Sequence, residues 1–329
     1  MRVVSCVGLL LGSFLGAGFV SGREVASYFS RFGNHSYIAI IVSILLLFLL
    51  IIFFLMISQR VRSFSHFTKL YFGKISVIIN VLMTICVLII NSSMLAGTMS
   101  LAESFSVNKY LFVVITIILA YFIVMGNTQS LSKVNLILIP FVLIILFITS
   151  SKCNLQNSLN GSVLLSVVSG CSYVFINIVS VGLLLIEIGH KYNKKEKLLV
   201  AIFSSLIIGC VLFVVNKAIL ANDLVLEMFP SLALARGSHF LYPSMQLSIF
   251  FGLFTTLISN TYLLSSYINN FIKSKHMSIL FSLLLSWFIS TMGFGIIVGY
   301  IYWFIGGVGL LIVMGVICRE KKNRVKPYS

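Results

Sequence analysis

The run Gly12-Ser13-Phe14-Leu15-Gly16-Ala17-Gly18-Phe19-Val20-Ser21-Gly22-Arg23-Glu24 decides the fold. It lies inside the first of ten apolar stretches. Glycine in a helix interior costs about 1 kcal/mol relative to alanine, and a Gly/Ser cluster lets a helix unwind without steric penalty. Unwound backbone at membrane depth is tolerated only where it is buried in protein or lines a watery cavity. The competing explanation is close helix packing through small residues.

That membrane depth is the right frame follows from composition. The chain has 329 residues, 59% of them hydrophobic and 9% charged, with mean hydropathy +1.11. A soluble domain carries about 25% charged residues, so soluble, disordered and fibrous classes are excluded. The ten apolar segments are 3–30, 36–57, 76–103, 110–126, 133–150, 161–189, 197–219, 241–272, 278–293 and 295–317. Each is long enough, or nearly so, to cross about 30 Å of hydrocarbon as a helix. No alternating barrel pattern competes. The expected fold is therefore an all-α polytopic membrane protein with ten transmembrane helices.

The net charge of +16 does not indicate nucleic acid, because the basic residues fall between the apolar runs. With the N-terminus inside, seventeen of the 23 Lys and Arg residues lie inside and six (Arg23, Arg31, Lys109, Lys152, Lys217 and Arg236) outside or at outer helix ends. This is the positive-inside asymmetry. It places both termini in the cytoplasm and the chain in the cell membrane, with a basic skin facing lipid. Six cysteines form no CxxC or disulfide framework,, and no cleavable signal is evident.

The sixth segment repeats the first segment's signal with Ser166-Val167-Val168-Ser169-Gly170-Cys171-Ser172-Tyr173. First and sixth of ten divide the chain into 1–150, an extracellular linker 151–160, a second unit 161–317 and a basic cytoplasmic tail 318–329. Five spans per unit make the second unit start on the opposite side. The reading is a 5+5 inverted repeat with helices 1 and 6 interrupted, the arrangement that marks a transporter site. Helices three and eight carry polar strips. Asn80, Thr84, Asn91 and Thr98 fall within about 40°, and Ser248, Thr255, Ser259, Tyr262 and Ser266 within about 60°. Asn91 and Ser259 are taken as pathway candidates. The loop 217–240 is read either as a short helical lid over the outer mouth or as a plain interfacial loop.

Gly16-Ala17-Gly18-Phe19-Val20-Ser21-Gly22-Arg23-Glu24-Val25, with Tyr28-Phe29 and Phe32-Gly33, resembles the opening signature of YkvI-type membrane proteins. Those are similar to remote members of the amino acid–polyamine–cation transporter superfamily, which have the LeuT-like architecture. The resemblance implies that the unwound stretch at Gly16, Ala17 and Gly18, with Ser21 beyond it, holds a substrate carboxylate or other anion. It implies that the carbonyls of Ser169, Gly170, Cys171 and Ser172 face a substrate ammonium, with Tyr173 and Phe175 closing over it. Gly252-Leu253-Phe254-Thr255-Thr256 is similar to the Na+ pattern of sodium-coupled relatives, with carbonyls from Gly12 and Leu15 and hydroxyls from Thr255 and Thr256. Neutral oxygens suit such an ion. Arg23 stands near the superfamily's outer gate, although the tenth span lacks an acid. Lys133 lies at the start of the fifth helix, so the alternative of H+ coupling gains no support from it.

Among seven acids, Glu24 and Glu187 lie in or near the membrane, where an acid is a functional candidate by default. Glu24 is a candidate to receive a cationic substrate, a proton or a partner side chain. Glu187 is either functional or paired with Lys191. The histidines have no ligand spacing, and no protease constellation sits at depth, so neither an enzyme nor a cofactor is expected. The expected function is secondary transport of a small amino acid, amine or related solute by alternating access. The alternatives are a LeuT-like receptor that binds a small molecule without net transport, as germinant receptors do, and a passive channel. The expected partners are that solute and the lipid bilayer; the oligomeric state is left open.

Overall fold

The computed structural model describes residues 2–61, 64–151 and 161–325, excepting the side chains of Ala17, Phe64, Asn127, Gln129 and residues 321–325. The linker expected at 151–160 falls outside the described residues from 152 to 160, and so does the last part of the tail. The described elements are α1 (Arg2–Phe14), α2 (Ala17–Val20), α3 (Arg23–Tyr28), α4 (Ser36–Ile57), α5 (Phe64–Phe72), α6 (Ser76–Ser104), α7 (Lys109–Met125), α8 (Asn127–Ser151), α9 (Val163–Ile188), α10 (Lys194–Ala221), α11 (Pro230–Leu234), α12 (Leu241–Ile272), α13 (Lys275–Ser290), α14 (Phe294–Ile296) and α15 (Tyr302–Val325). Among the described residues there is no β-strand.

Among the described residues seven helices are long and apolar enough to cross a membrane, and three shorter apolar helices, α1, α7 and α13, pack with them. In α7 the side chains of Val113, Thr116, Ala120 and Val124 are buried at helical spacing, while Leu111, Ile115, Ile118 and Phe122 are exposed on the opposite side. Only the membrane makes that second face stable.

Helix pairing has a pattern. The first span, α1, packs on α10, and α4 packs on α9. Likewise α1 packs on α8 and α9 on α15; α6 packs on α7 and α12 on α13; α6 packs on α13 and α12 on α7. The short helices fall at matching places, α5 between the second and third spans and α11 between the seventh and eighth.

The first span is broken as its glycines predict. α1 stops at Phe14, α2 begins at Ala17, and α3 begins at Arg23 after Gly22. Gly22 has φ 82°, a left-handed conformation that favours glycine,. The sixth span corrects the expectation, because α9 runs unbroken from Val163 to Ile188 through Ser169, Gly170, Cys171 and Ser172. The physical reason is packing. A Cβ built on Gly170 would stand 2.6 Å from Ser43 Oγ, 3.1 Å from the Ala39 carbonyl and 3.2 Å from the Phe29 ring. On its other side, α9 receives the glycines of α15: a Cβ on Gly306 would lie 3.2 Å from the Ser172 carbonyl, and one on Gly309 would overlap the Phe175 carbonyl. Gly170 of the sixth span thus lets α4 approach, as Gly306 and Gly309 let α15 approach, and the span is not unwound,.

Candidate functional site

The break in the first span opens onto a cavity of ≈ 10 Å³, about the room of one water molecule,. Ser13, Phe14, Gly16 and Glu24 border it from the first span, Ile90 and Met94 from α6, Asn177 and Ser180 from α9, Thr256 from α12 and Tyr302 from α15. Of the residues singled out in the sequence, the structure brings Gly16, Glu24 and Thr256 together here. Ser13 belongs to the Gly/Ser run but was not assigned to the site, and Asn177, Ser180 and Tyr302 lie outside every motif read from the sequence. Each is a polar side chain at mid-span, and that was the signal available.

Glu24 has 4% of its surface exposed. Its side chain curls back over Gly18, where a Cβ would overlap the carboxylate. Arg23 points away, donating from Nη1 to the carbonyl oxygens of Glu227 (3.0 Å) and Leu226 (3.4 Å) in the 217–240 connection. That connection carries α11, and Ser231 N donates to the Ser21 carbonyl at 2.8 Å. This connection therefore clamps the second break of the first span. Arg236 and Glu227 pair within it at 3.2 Å.

The oxygens expected to hold Na+ partly converge. Thr256 Oγ1 donates to the Gly12 carbonyl at 2.9 Å, tying α12 to α1. The Leu15 carbonyl faces Gly252, whose Cβ would stand 3.1 Å from it. Thr255 instead turns its hydroxyl onto its own helix, to the Gly252 carbonyl at 3.2 Å. Asn135 of α8 adds a group the sequence did not flag. It is fully buried against Gly12, and neither polar atom of its amide has a hydrogen-bond partner. This neutral oxygen set fits a hard monovalent cation.

The remaining candidates lie apart from the cavity. Asn91 Nδ2 donates to Ser286 Oγ (2.9 Å) and Thr261 Oγ1 (3.2 Å), joining α6 to α13 and α12. Ser259 Oγ donates to the Thr255 carbonyl and Ser21 Oγ to the Gly18 carbonyl. Ser169 Oγ is buried without a partner, Cys171 and Ser172 are half-buried on unbroken helix, and Ala17 opens α2. Tyr173 is buried among Phe14, Tyr28 and Phe29, with ring centroids 5.3–5.8 Å away. It backs the broken span. Glu187 accepts a hydrogen bond from Tyr262 OH at 2.9 Å, linking α9 to α12 toward the opposite end of the bundle.

These features define the class: an all-helical, multi-pass membrane protein of LeuT-like fold, with a broken first span at its central crossing. Two solved structures share the fold. One is Mhp1, a nucleobase-cation-symport-1 family transporter in a closed conformation with bromovinylhydantoin bound (TM-score 0.63, 14% identity, 88% of this chain and 73% of that one). The other is a Na+-coupled sialic acid symporter in a substrate-bound outward-open state (TM-score 0.64, 11% identity, 95% and 78%). Both neighbours are transporters. No family model matches the chain. In sequence it is similar to the uncharacterized membrane protein YkvI of Bacillus subtilis (strain 168), 26% identical over 95% of each chain. It is also similar to the uncharacterized protein YyaD of that strain, 24% identical over 93% of each. The resemblance carried by the opening residues thus extends along nearly the whole chain.

Proposed function

We propose that this chain is a secondary transporter of ten spans in two inverted five-helix units, 1–150 and 161–317, with both termini in the cytoplasm. It moves a small amino acid, amine or related solute across the cell membrane by alternating access. The observation that carries the reading is the cavity at the break of the first span. It is bounded by five spans, polar on the sides of α1, α9 and α12, and too small as it stands for any such solute. A cargo can enter only if the first span moves against its neighbours, and a three-piece span joined by short non-helical links at Leu15–Gly16 and Ser21–Gly22 is suited to that. The helix pairing supports the repeat, because exchanging spans one to five for six to ten maps each of the pairs described above onto its counterpart. Na+ is the coupling ion best matched by the neutral oxygens of Gly12, Leu15 and Thr256, with Asn135 adjacent. Thr255 joins them only if its hydroxyl turns from Gly252.

Sided labelling tests alternation. In a cysteine-free background, Ser13→Cys in sealed vesicles is exposed to a membrane-impermeant maleimide from one face or the other. Alternating access predicts labelling from each face, with Na+ or cargo shifting the ratio. A cysteine reached from one face under every condition contradicts it and fits a receptor, while labelling from both faces at diffusion-limited rates fits a channel.

A further inference from the structure

The unbroken sixth span changes what the cavity can recognise. An ammonium expected to lie against freed carbonyls at Ser169–Ser172 finds none, because those carbonyls belong to α9. One acidic side chain faces the cavity instead, that of Glu24. Among the described residues no hydrogen bond or ion pair reaches its carboxylate. The two nearest cations in sequence are engaged elsewhere: Arg23 on the carbonyls of Leu226 and Glu227, and Arg31 over the rings of Phe32 and Trp303 at 4.6 and 5.4 Å. An acid kept inside a membrane bundle is costly and marks a functional group.

Two further polar groups at the cavity are able to accept a hydrogen bond. Asn177 spends its Nδ2 on the Tyr173 carbonyl at 3.0 Å, leaving its carbonyl oxygen as an acceptor. Ser13 Oγ is buried with no partner. A primary ammonium brings three donors and no acceptor, matching a carboxylate, an amide oxygen and a hydroxyl oxygen. A cargo carboxylate is disfavoured, since the Glu24 carboxylate already covers Gly18, where the unwound amides were expected to receive it.

We infer that the solute of this cavity is a small organic cation bearing a primary ammonium and no carboxylate, and that Glu24 is its counter-charge. This narrows the transporter reading and relies on it for the location of the site. The solute's ammonium docks on Glu24, Asn177 and Ser13, and its apolar part lies against Ile90, Met94 and Phe14.

The test uses the purified full chain and matched probes that differ in the amine. Ethanolamine is compared with ethylene glycol, and both with alanine and lactate, by thermal unfolding. Ethanolamine is expected to raise the melting temperature saturably. Ethylene glycol and lactate are expected to leave it unchanged, and alanine to act at least tenfold more weakly than ethanolamine. Glu24→Gln, a neutral isostere, is expected to weaken ethanolamine at least tenfold without lowering the ligand-free melting temperature, and Glu24→Asp to retain part of the response. Equal shifts from ethanolamine and ethylene glycol, no shift from ethanolamine, an alanine response as strong as ethanolamine's, or a Glu24→Gln response within threefold of wild type each overturn the inference. The wild-type comparison remains decisive if the variant fails to fold. Ethanolamine binding through Glu24 without exchange across proteoliposomes refutes transport and leaves this inference standing. Saturable exchange of a neutral solute that Glu24→Gln leaves untouched does the reverse.

Discussion

Gly170→Leu separates packing from unwinding in the sixth span. The Cβ alone would press on Ser43 Oγ at 2.6 Å, on the Ala39 carbonyl at 3.1 Å and on the Phe29 ring at 3.2 Å. Ser43 cannot yield freely, since its hydroxyl donates to that same Ala39 carbonyl at 2.7 Å. Overpacking of this kind costs about 1–3 kcal/mol, and a lost hydrogen bond about 1 kcal/mol. The better helix propensity of leucine returns about 0.8 kcal/mol. The net loss is on the order of 2 kcal/mol, or roughly 4 °C at about 2 °C per kcal/mol. Gly16→Ala is the control, because its Cβ meets nothing nearer than Met94 Cε and Thr256 Oγ1 at 3.4 Å. It should melt within about 1 °C of wild type and alter only ligand response. Thermal unfolding of the two variants in one detergent decides. A Gly170→Leu protein that melts like wild type yet loses its ligand response would refute the packing account and restore a break in the sixth span.

Other expectations follow from single contacts. Thr256→Ala removes the hydroxyl that holds the Gly12 carbonyl; Na+ dependence of binding should weaken at least tenfold, measured as the shift of the ligand response with and without Na+. Tyr262→Phe leaves Glu187 without its donor; a hydrogen bond to a charged group is worth about 1.5–3 kcal/mol, so the melting temperature should fall by roughly 3–6 °C. Asn91→Leu strips Thr261 and Ser286 of their shared partner and should destabilise by about 1–3 kcal/mol without altering the affinity of any ligand, read by the same melts. Arg23→Ala releases the carbonyls of Leu226 and Glu227, just ahead of α11; maleimide labelling of Ser231→Cys should accelerate severalfold while stability changes by less than about 1 kcal/mol.

Much of this architecture was legible because lipid imposes simple rules. Apolar length located the helices, and the Gly-Ala-Gly cluster at 16–18 located the break in the first span. The sixth span misled because its sequence carries the same signal with a different use. Ser-Gly-Cys-Ser reads alike whether a helix unwinds or a neighbour presses in, and only the positions of Ser43, Ala39, Gly306 and Gly309 in space decide. Those partners lie on spans two and ten, beyond the reach of local pattern. The polar strips face protein over most of their length, with Ser266 exposed, but Asn91 meets α12 and α13, and hydroxyls turn onto their own helices, as at Thr84 and Thr98. Glu24 was legible as an acid at depth. That it folds back over Gly18 depended on the left-handed turn at Gly22, which redirects α3. Asn177, Ser180 and Tyr302 were overlooked because isolated polar residues in apolar spans carry no spacing.

The most direct measurement is counterflow in sealed proteoliposomes preloaded with unlabelled ethanolamine and presented with a trace of labelled ethanolamine. Transport through the broken first span predicts a transient, saturable accumulation of label that Gly16→Leu abolishes while the protein still melts as a folded species. Label entering no faster than into protein-free liposomes, or entering in proportion to concentration without saturation, would contradict it.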